Sequence, residues 1–106
     1  MLRIYSVALT VARDAAVAAK VIGLQDVDLA RQLRRAAASV PLNLAEGAGV
    51  FGGHRRQRYM TALGSAREVL SVLETGHMMG YCDTVADCTR DRLDPIIGTL
   101  VGLVRG

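Results

Sequence analysis

The chain contains few aromatic residues, and this limits how it can build a core. Only 4% of its 106 residues are aromatic and none is tryptophan, although 51% are hydrophobic. Ala, Val and Leu must therefore fill the core, and side chains of this size bury a modest apolar area per helix. A single domain spanning residues 1–106 is near the lower limit for a self-sufficient core, so the apolar excess indicates burial between subunits.

Cysteine and histidine are also scarce, with two of each. Cys82 and Cys88 lack the second pair or histidine cluster that a tetrahedral metal site needs, and we interpret them as reduced thiols. Glu74 and His77 form a Glu-x-x-His pair, but the second copy that a di-metal centre in a bundle requires is missing. We therefore predict neither a metal nor another cofactor.

Long apolar runs are absent as well. None approaches the roughly 20 residues that span a bilayer. The opening segment MLRIYSVALTVARDAAVAA resembles a signal peptide, but Arg13 and Asp14 interrupt its apolar run, and an amphipathic helix fits better. We predict a cytoplasmic protein without membrane contact. Its net charge of +3 is far below that of a dedicated polycationic nucleic-acid binder.

The apolar periodicity predicts four helices and no strands. The first covers 3–22, the second runs from a cap at Asp26 or Asp28 to about Glu46, the third from about His54 to Met79, and the fourth from a cap at Asp83 to about Val104. Pro41 predicts a kink in the second helix, whereas Asp94 and Pro95 leave open a kink or a separate C-terminal helix.

Gly64 and Gly76 lie inside the third predicted helix. Each costs up to about 1 kcal/mol relative to Ala, so each predicts a close helix contact.

The first helix has two apolar lines, which predicts two packing neighbours. One neighbour is the bundle's own core. As a hypothesis, we assign the other line to an interface with a neighbouring subunit; its residues are Ile4, Val7, Val11, Ala15 and Ala18.

A polar stripe follows one face of the second helix, at steps of 3, 4, 4 and 3 residues. Its residues are Gln32, Arg35, Ser39, Asn43 and Glu46. If the chain reverses near residue 50, Arg35 falls opposite Ser65 and Gln32 opposite Glu68. An ion pair between Arg35 and Glu68 would then join a network that fixes helix register, which we favour over a catalytic site. Arg35 would lie between Glu46 and Glu68, keep both carboxylates ionised and make them poor general acids. We therefore predict that the chain is not an enzyme.

The basic cluster His54, Arg55, Arg56 and Arg58 is the best candidate for a binding site. Positive charge at a helix N-terminus opposes the macrodipole, so folding alone does not favour it there, and the free N–H groups would suit phosphate. The preceding GAGVFG matches G-x-G-x-x-G but follows a helix rather than a strand, so we interpret it as a turn.

The motifs QLRRAAASVPLNLAEG and GSAREVLSVLETGHMMGY resemble the small four-helix-bundle proteins encoded in intervening sequences of bacterial large-subunit ribosomal RNA genes. The second, more distant similarity is to accessory variability determinant proteins of diversity-generating retroelements. This resemblance implies an antiparallel up-down bundle that assembles as a ring-like homo-oligomer, typically a pentamer. The retroelement relatives further imply that a basic surface binds RNA or DNA and a reverse transcriptase.

The leading prediction is a non-enzymatic all-α bundle of undefined role that assembles with itself. The alternative is a nucleic-acid-binding accessory factor, associated with ribosomal RNA or a reverse transcriptase, that acts through the basic cluster at the start of the third helix.

Overall fold

Four α-helices make up the computed structural model, which describes residues 2–83 and 87–106. Their bounds are Ile4–Ile22 (α1), Val27–Ala48 (α2), Gly52–Met78 (α3) and Asp87–Arg105 (α4). Strands are absent from the described residues. The all-α, four-helix prediction is confirmed.

The helices alternate in direction around one core. Each packs on the next in the chain, and α4 returns to contact α1. Only residues 23–26 join α1 to α2 and 49–51 join α2 to α3, so these neighbours must run antiparallel. Arg56 at the start of α3 contacts Val104 at the end of α4. The bundle therefore has two ends, one where α1 and α3 begin and one where they finish.

α1 contributes mainly small and medium-sized side chains to the core. Its buried residues recur at helical spacing on one face: Ile4, Ala8, Val11, Ala15, Ala19 and Ile22. The stripe assigned to a neighbouring subunit is thus corrected, because Ile4, Val11 and Ala15 lie in the chain's own core and Val7 and Ala18 pack against it. Alanine at the helix contact lets α1 approach its neighbours closely.

The helix ends follow local chemistry. Asp26 rather than Asp28 caps α2, since its Oδ1 accepts from the Leu29 N–H at 2.9 Å. At the end of α3, Gly80 has a φ of +79°. There the N–H of Tyr81 bonds to Gly76 O and that of Gly80 to His77 O, which is a Schellman motif.

Both prolines lie inside helices. α2 continues through Pro41, and α4 continues through Pro95 as one helix, which decides between the two alternatives. The predicted cap Asp83 precedes the first residue of α4 by four positions, and residues 84–86 between them lie outside the described part of the chain.

The interior glycines of α3 differ from one another. A Cβ at Gly76 would lie 3.2 Å from Cδ1 of Ile22, so the predicted close contact between α3 and α1 is confirmed there. At Gly64 nothing lies within 4 Å, so within the chain this prediction is wrong.

Candidate functional site in a groove between the second and third helices

A polar groove runs between the outer faces of α2 and α3. Its volume is about 640 Å³. The lining includes all seven residues predicted for the polar network: Gln32, Arg35, Ser39, Asn43, Glu46, Ser65 and Glu68. Arg58, Ala36, Ala38 and Leu42 complete it.

Hydroxyl and amide groups meet at the middle of the groove. Ser65 Oγ donates to Ser39 Oγ at 2.7 Å. Asn43 Nδ2 donates to the same oxygen at 3.0 Å and to Ser39 O at 2.9 Å. The half-buried bond between the two serines connects α2 to α3, and the bonds of Asn43 to Ser39 within α2 orient its side chain in the groove.

The register of the two helices differs from the prediction by one helical turn. Ser39, rather than Arg35, lies opposite Ser65. The connecting residues 49–51 are centred on residue 50, as assumed, so the shift lies in the axial offset between α2 and α3 and not in the position of the turn. Arg35 therefore reaches the level of Glu68.

The predicted Arg35 to Glu68 ion pair does not form among the residues described. Both side chains are exposed on the rim of the groove. Glu46 pairs instead with Arg58, at 2.9 Å between Oε2 and Nη1. Sequence reasoning assigned Arg58 only to the basic cluster, although its spacing from Ser65 and Glu68 already places the three on one helix face.

The other arginines of the basic cluster have structural partners. Arg55 Nε donates to Gly47 O at 3.1 Å and Val50 O at 2.9 Å, and its guanidinium lies 5.3 Å from the centre of the Phe51 ring. Arg56 Nε donates to Val104 O at 2.8 Å. We predicted that folding alone does not favour positive charge at the start of α3, and this is wrong. Arg55 and Arg56 donate to carbonyl groups at the C-terminal ends of the antiparallel neighbours α2 and α4. His54 is exposed.

The topology adds further charge to this end of the bundle. The side chains gathered where α1 and α3 begin and α2 and α4 finish define the basic end: Arg3, His54, Arg55, Arg56, Arg58 and Arg105. Glu46 is the acidic residue beside them. With histidine neutral, the five arginines and Glu46 give this end a charge of +4, which exceeds the chain's net charge of +3.

The candidate reactive groups lie away from the groove. Glu74 pairs with Arg90 at 3.3 Å, and within residues 2–83 and 87–106 no cluster of three His, Cys, Asp or Glu residues could hold a metal. Burial, and then the neighbouring Asp83, raise the pKa of the half-buried Cys82 thiol. This suppresses the thiolate near neutral pH. In the described part of the chain no helix is long and apolar enough to span a membrane.

Comparison with known proteins supports one assignment. No curated protein and no solved structure matches the chain significantly. A model of the 23S rRNA-intervening sequence protein family matches residues 1–102. This confirms the main resemblance of the two motifs, whereas the distant similarity to retroelement accessory proteins stays a prediction. Since the match spans nearly the whole sequence, the chain belongs to the 23S rRNA-intervening sequence protein family.

Proposed function

We propose that this chain acts without catalysing a reaction, as a bundle that assembles with copies of itself. The observation that supports assembly is a group of large apolar side chains at one end of the bundle. We define this apolar end by six residues that are each 45–82% exposed: Val17, Val21, Leu24, Val27, Met78 and Met79.

The chain topology brings these residues to the same end. Val17 and Val21 lie one turn apart on α1, Leu24 follows in the turn after α1, and Val27 opens α2. The contact of Gly76 with Ile22 places the end of α3, and therefore Met78 and Met79, beside the end of α1. A clustered apolar surface of this kind is typical of a protein interface.

Burial of the apolar end can by itself offset the free-energy cost of association. Covering an exposed aliphatic or methionine side chain contributes about 1–2 kcal/mol. Six such side chains, counted on both partners, are comparable to the roughly 4–15 kcal/mol that association costs in lost freedom. Polar contacts at the edge then decide affinity and geometry.

The direct test is the light-scattering mass of the untagged protein over a range of concentrations. The resemblance favours a pentamer, which for an 11.3 kDa chain has a mass of about 57 kDa. Val21→Glu combined with Leu24→Glu should lower this mass while helicity persists. Leu9→Glu is the control, because Leu9 is also exposed on α1 but lies three turns before Val21.

Two results would count against the proposal in different ways. A wild-type mass of one chain at every concentration would reject self-assembly. A wild-type oligomer that the double substitution leaves unchanged would reject the apolar end as its interface.

A second function, binding of RNA or DNA, is favoured by the basic end. Arg55 and Arg56 hold the helix carbonyls through Nε, which fixes the orientation of both guanidinium groups; Nη1 of Arg56 also donates to Met60 Sδ at 3.4 Å. Because these side chains are already ordered, contact with phosphate would cost little further side-chain entropy. We extend this proposal to an accessory factor that is associated with ribosomal RNA or with a reverse transcriptase.

Fluorescence anisotropy with a labelled RNA tests this function at several salt concentrations. Arg3→Gln, Arg58→Gln and Arg105→Gln together should weaken binding and flatten its salt dependence. The matched control removes the same charge from exposed positions outside the basic end: Arg31→Gln, Arg34→Gln and Arg67→Gln. Equal loss in both triple variants would mean that net charge, rather than this surface, governs binding.

A further inference from the structure

The aromatic side chains of this protein are buried in an unexpected order. They comprise one phenylalanine and three tyrosines. Tyr59 lies in the core, and Tyr5 and Tyr81 are half-buried against it. Phe51 is the most apolar of the four, and yet it is 80% exposed. Because phenylalanine is ordinarily buried more often than tyrosine, packing of the fold gives no reason for this ring to face solvent.

The exposed ring has a fixed position. The guanidinium carbon of Arg55 lies over it, 5.3 Å from the ring centre, which is a cation–π contact. Arg55 is itself held in place, because its Nε–H donates to Gly47 O at 3.1 Å and to Val50 O at 2.9 Å. A ring that is ordered before it binds loses little conformational entropy when a ligand packs on it.

The other face of the ring is open to a ligand. Arg55 covers one face, and the next two residues, Gly52 and Gly53, carry no side chains. A Cβ at either glycine would meet nothing within 4 Å. Gly52 also has a φ of +60°, a conformation that favours glycine over residues with a side chain. A flat group can therefore stack on the open face, opposite the guanidinium.

The surroundings of the ring are positively charged. Phe51 directly precedes α3, so its ring lies beside the basic end. Glu46 is paired with Arg58 there, which leaves an excess of positive charge. A neutral apolar ligand does not use this charge, and an acidic side chain has no flat group to place on the ring. A nucleotide has both matching parts, a base with a π face and an anionic phosphate.

The same geometry distinguishes unpaired from paired bases. Inside a duplex each base is already stacked on its neighbours, and a protein ring reaches its face only after the base is displaced. A base in a single strand, a loop or a bulge can splay out and present a free face. Stacking on an aromatic side chain also tolerates any base, because every base has a π face.

We infer that Phe51 is a stacking platform for an unpaired base, and that single-stranded or looped nucleic acid is the substrate class of the basic end. This inference rests on the proposed binding of RNA or DNA and deepens it. The arginines contact phosphate and make binding depend on salt, whereas Phe51 adds affinity that requires no release of counterions.

Substitution of Phe51 tests the platform by fluorescence anisotropy. The labelled probes are an oligouridylate, an oligothymidylate of equal length and a duplex of that length. Phe51→Ala should raise the Kd of the single strands by roughly tenfold and leave that of the duplex unchanged. The slope of log Kd against log salt should stay as in the wild type, because no phosphate contact is removed. Phe51→Tyr should retain the affinity, and the two single strands distinguish RNA from DNA.

A tryptophan at the same position reports the contact directly. The chain has no tryptophan, so Phe51→Trp introduces a single indole, and a base stacked on it quenches its fluorescence. Leu9→Trp is the matched control. Leu9 is 47% exposed and lies more than one turn inside α1, which packs mainly on α2 and α4. The single strands should quench the indole at position 51 and leave that at position 9 unchanged. Circular dichroism verifies that each variant folds.

The outcomes separate this inference from the proposed binding. Weaker single-strand binding at an unchanged salt slope, together with quenching at position 51, would support the platform. If the wild type binds single strands and neither Phe51→Ala nor Phe51→Trp responds, the platform is wrong while nucleic-acid binding stands. An equal loss of duplex affinity would refute the selectivity for unpaired bases. If the wild type binds none of the probes at low salt, both proposals fail.

Discussion

Gly47 and Gly64 allow one substitution to be tested in two opposite environments. A Cβ at Gly47 would lie 2.9 Å from Cδ1 of Tyr59 and closer still to Cε1. Tyr59 is itself only 5% exposed, so its ring has little room to move. At Gly64 the added methyl group meets nothing within 4 Å. Gly47→Ala should therefore destabilise the chain, and Gly64→Ala should stabilise it.

The expected sizes follow from two opposing terms. Overpacking a filled core costs about 1–3 kcal/mol. Alanine in place of glycine contributes up to about 1 kcal/mol inside a helix, and less at Gly47, which is close to the end of α2. We expect a net loss of about 1–2 kcal/mol for Gly47→Ala and a gain of about 0.5–1 kcal/mol for Gly64→Ala.

Thermal and urea unfolding followed by circular dichroism measure both effects. For a domain of this size, 1 kcal/mol corresponds to roughly 4–8 °C in Tm. The variants are compared at equal protein concentration, because assembly makes Tm depend on concentration. In a Tyr59→Leu background the loss from Gly47→Ala should shrink, since the smaller side chain leaves room for the methyl group.

A Gly47→Ala variant as stable as the wild type would refute this reasoning. It would mean that the Tyr59 ring can move aside at little cost, and that the glycine is not needed for packing.

Three further changes test other contacts. Asp26→Ala removes the cap of α2 and should lower the free energy of unfolding by about 1 kcal/mol, whereas Asp26→Asn should restore most of it. Asp14→Ala removes the acceptor for Arg92 and Thr89 of α4; we expect a loss of about 1–2 kcal/mol in urea unfolding and a smaller loss for Asp14→Asn. The raised pKa of Cys82 should slow its reaction with iodoacetamide relative to a free cysteine. Mass spectrometry of the peptide that contains Cys82 measures this rate. The contribution of the protonated thiol to stability is fully present below the pKa that Cys82 has in the unfolded chain. It is lost as the pH rises through the higher pKa that Cys82 has in the folded chain.

The helices and the groove lining could be predicted because both depend on spacing along one helix. The stripe from Gln32 to Glu46 lies on one face whatever the helix packs against, and the structure places all five of its residues in the groove. Asp26 and Asp28 were both reasonable caps, and only the observed hydrogen bond to Leu29 distinguishes them.

Relations between helices were harder to predict. The register of α2 and α3 depends on the geometry of the three-residue connection between them. The predicted register was wrong by one helical turn, so that Ser39 and not Arg35 lies opposite Ser65. Two apolar lines on α1 look equivalent in the sequence, so the choice of Val11 and Ala15 for an interface was wrong. The positions of the neighbouring helices determine which line is buried. The roles of Arg55 and Arg56 depend on helix ends that pattern analysis does not bring together.

The two arginine caps also affect how this end of the bundle opens. Arg56 near the start of α3 binds the last turn of α4 at Val104, which is 48 residues away, and Arg55 next to it binds the end of α2. Helix termini normally fray independently of one another. Here the last turns of α2 and α4 cannot separate from the bundle without breaking bonds to the same segment of α3. Their amide protons should therefore exchange with solvent together with those of that segment, as one cooperative unit built from three helices.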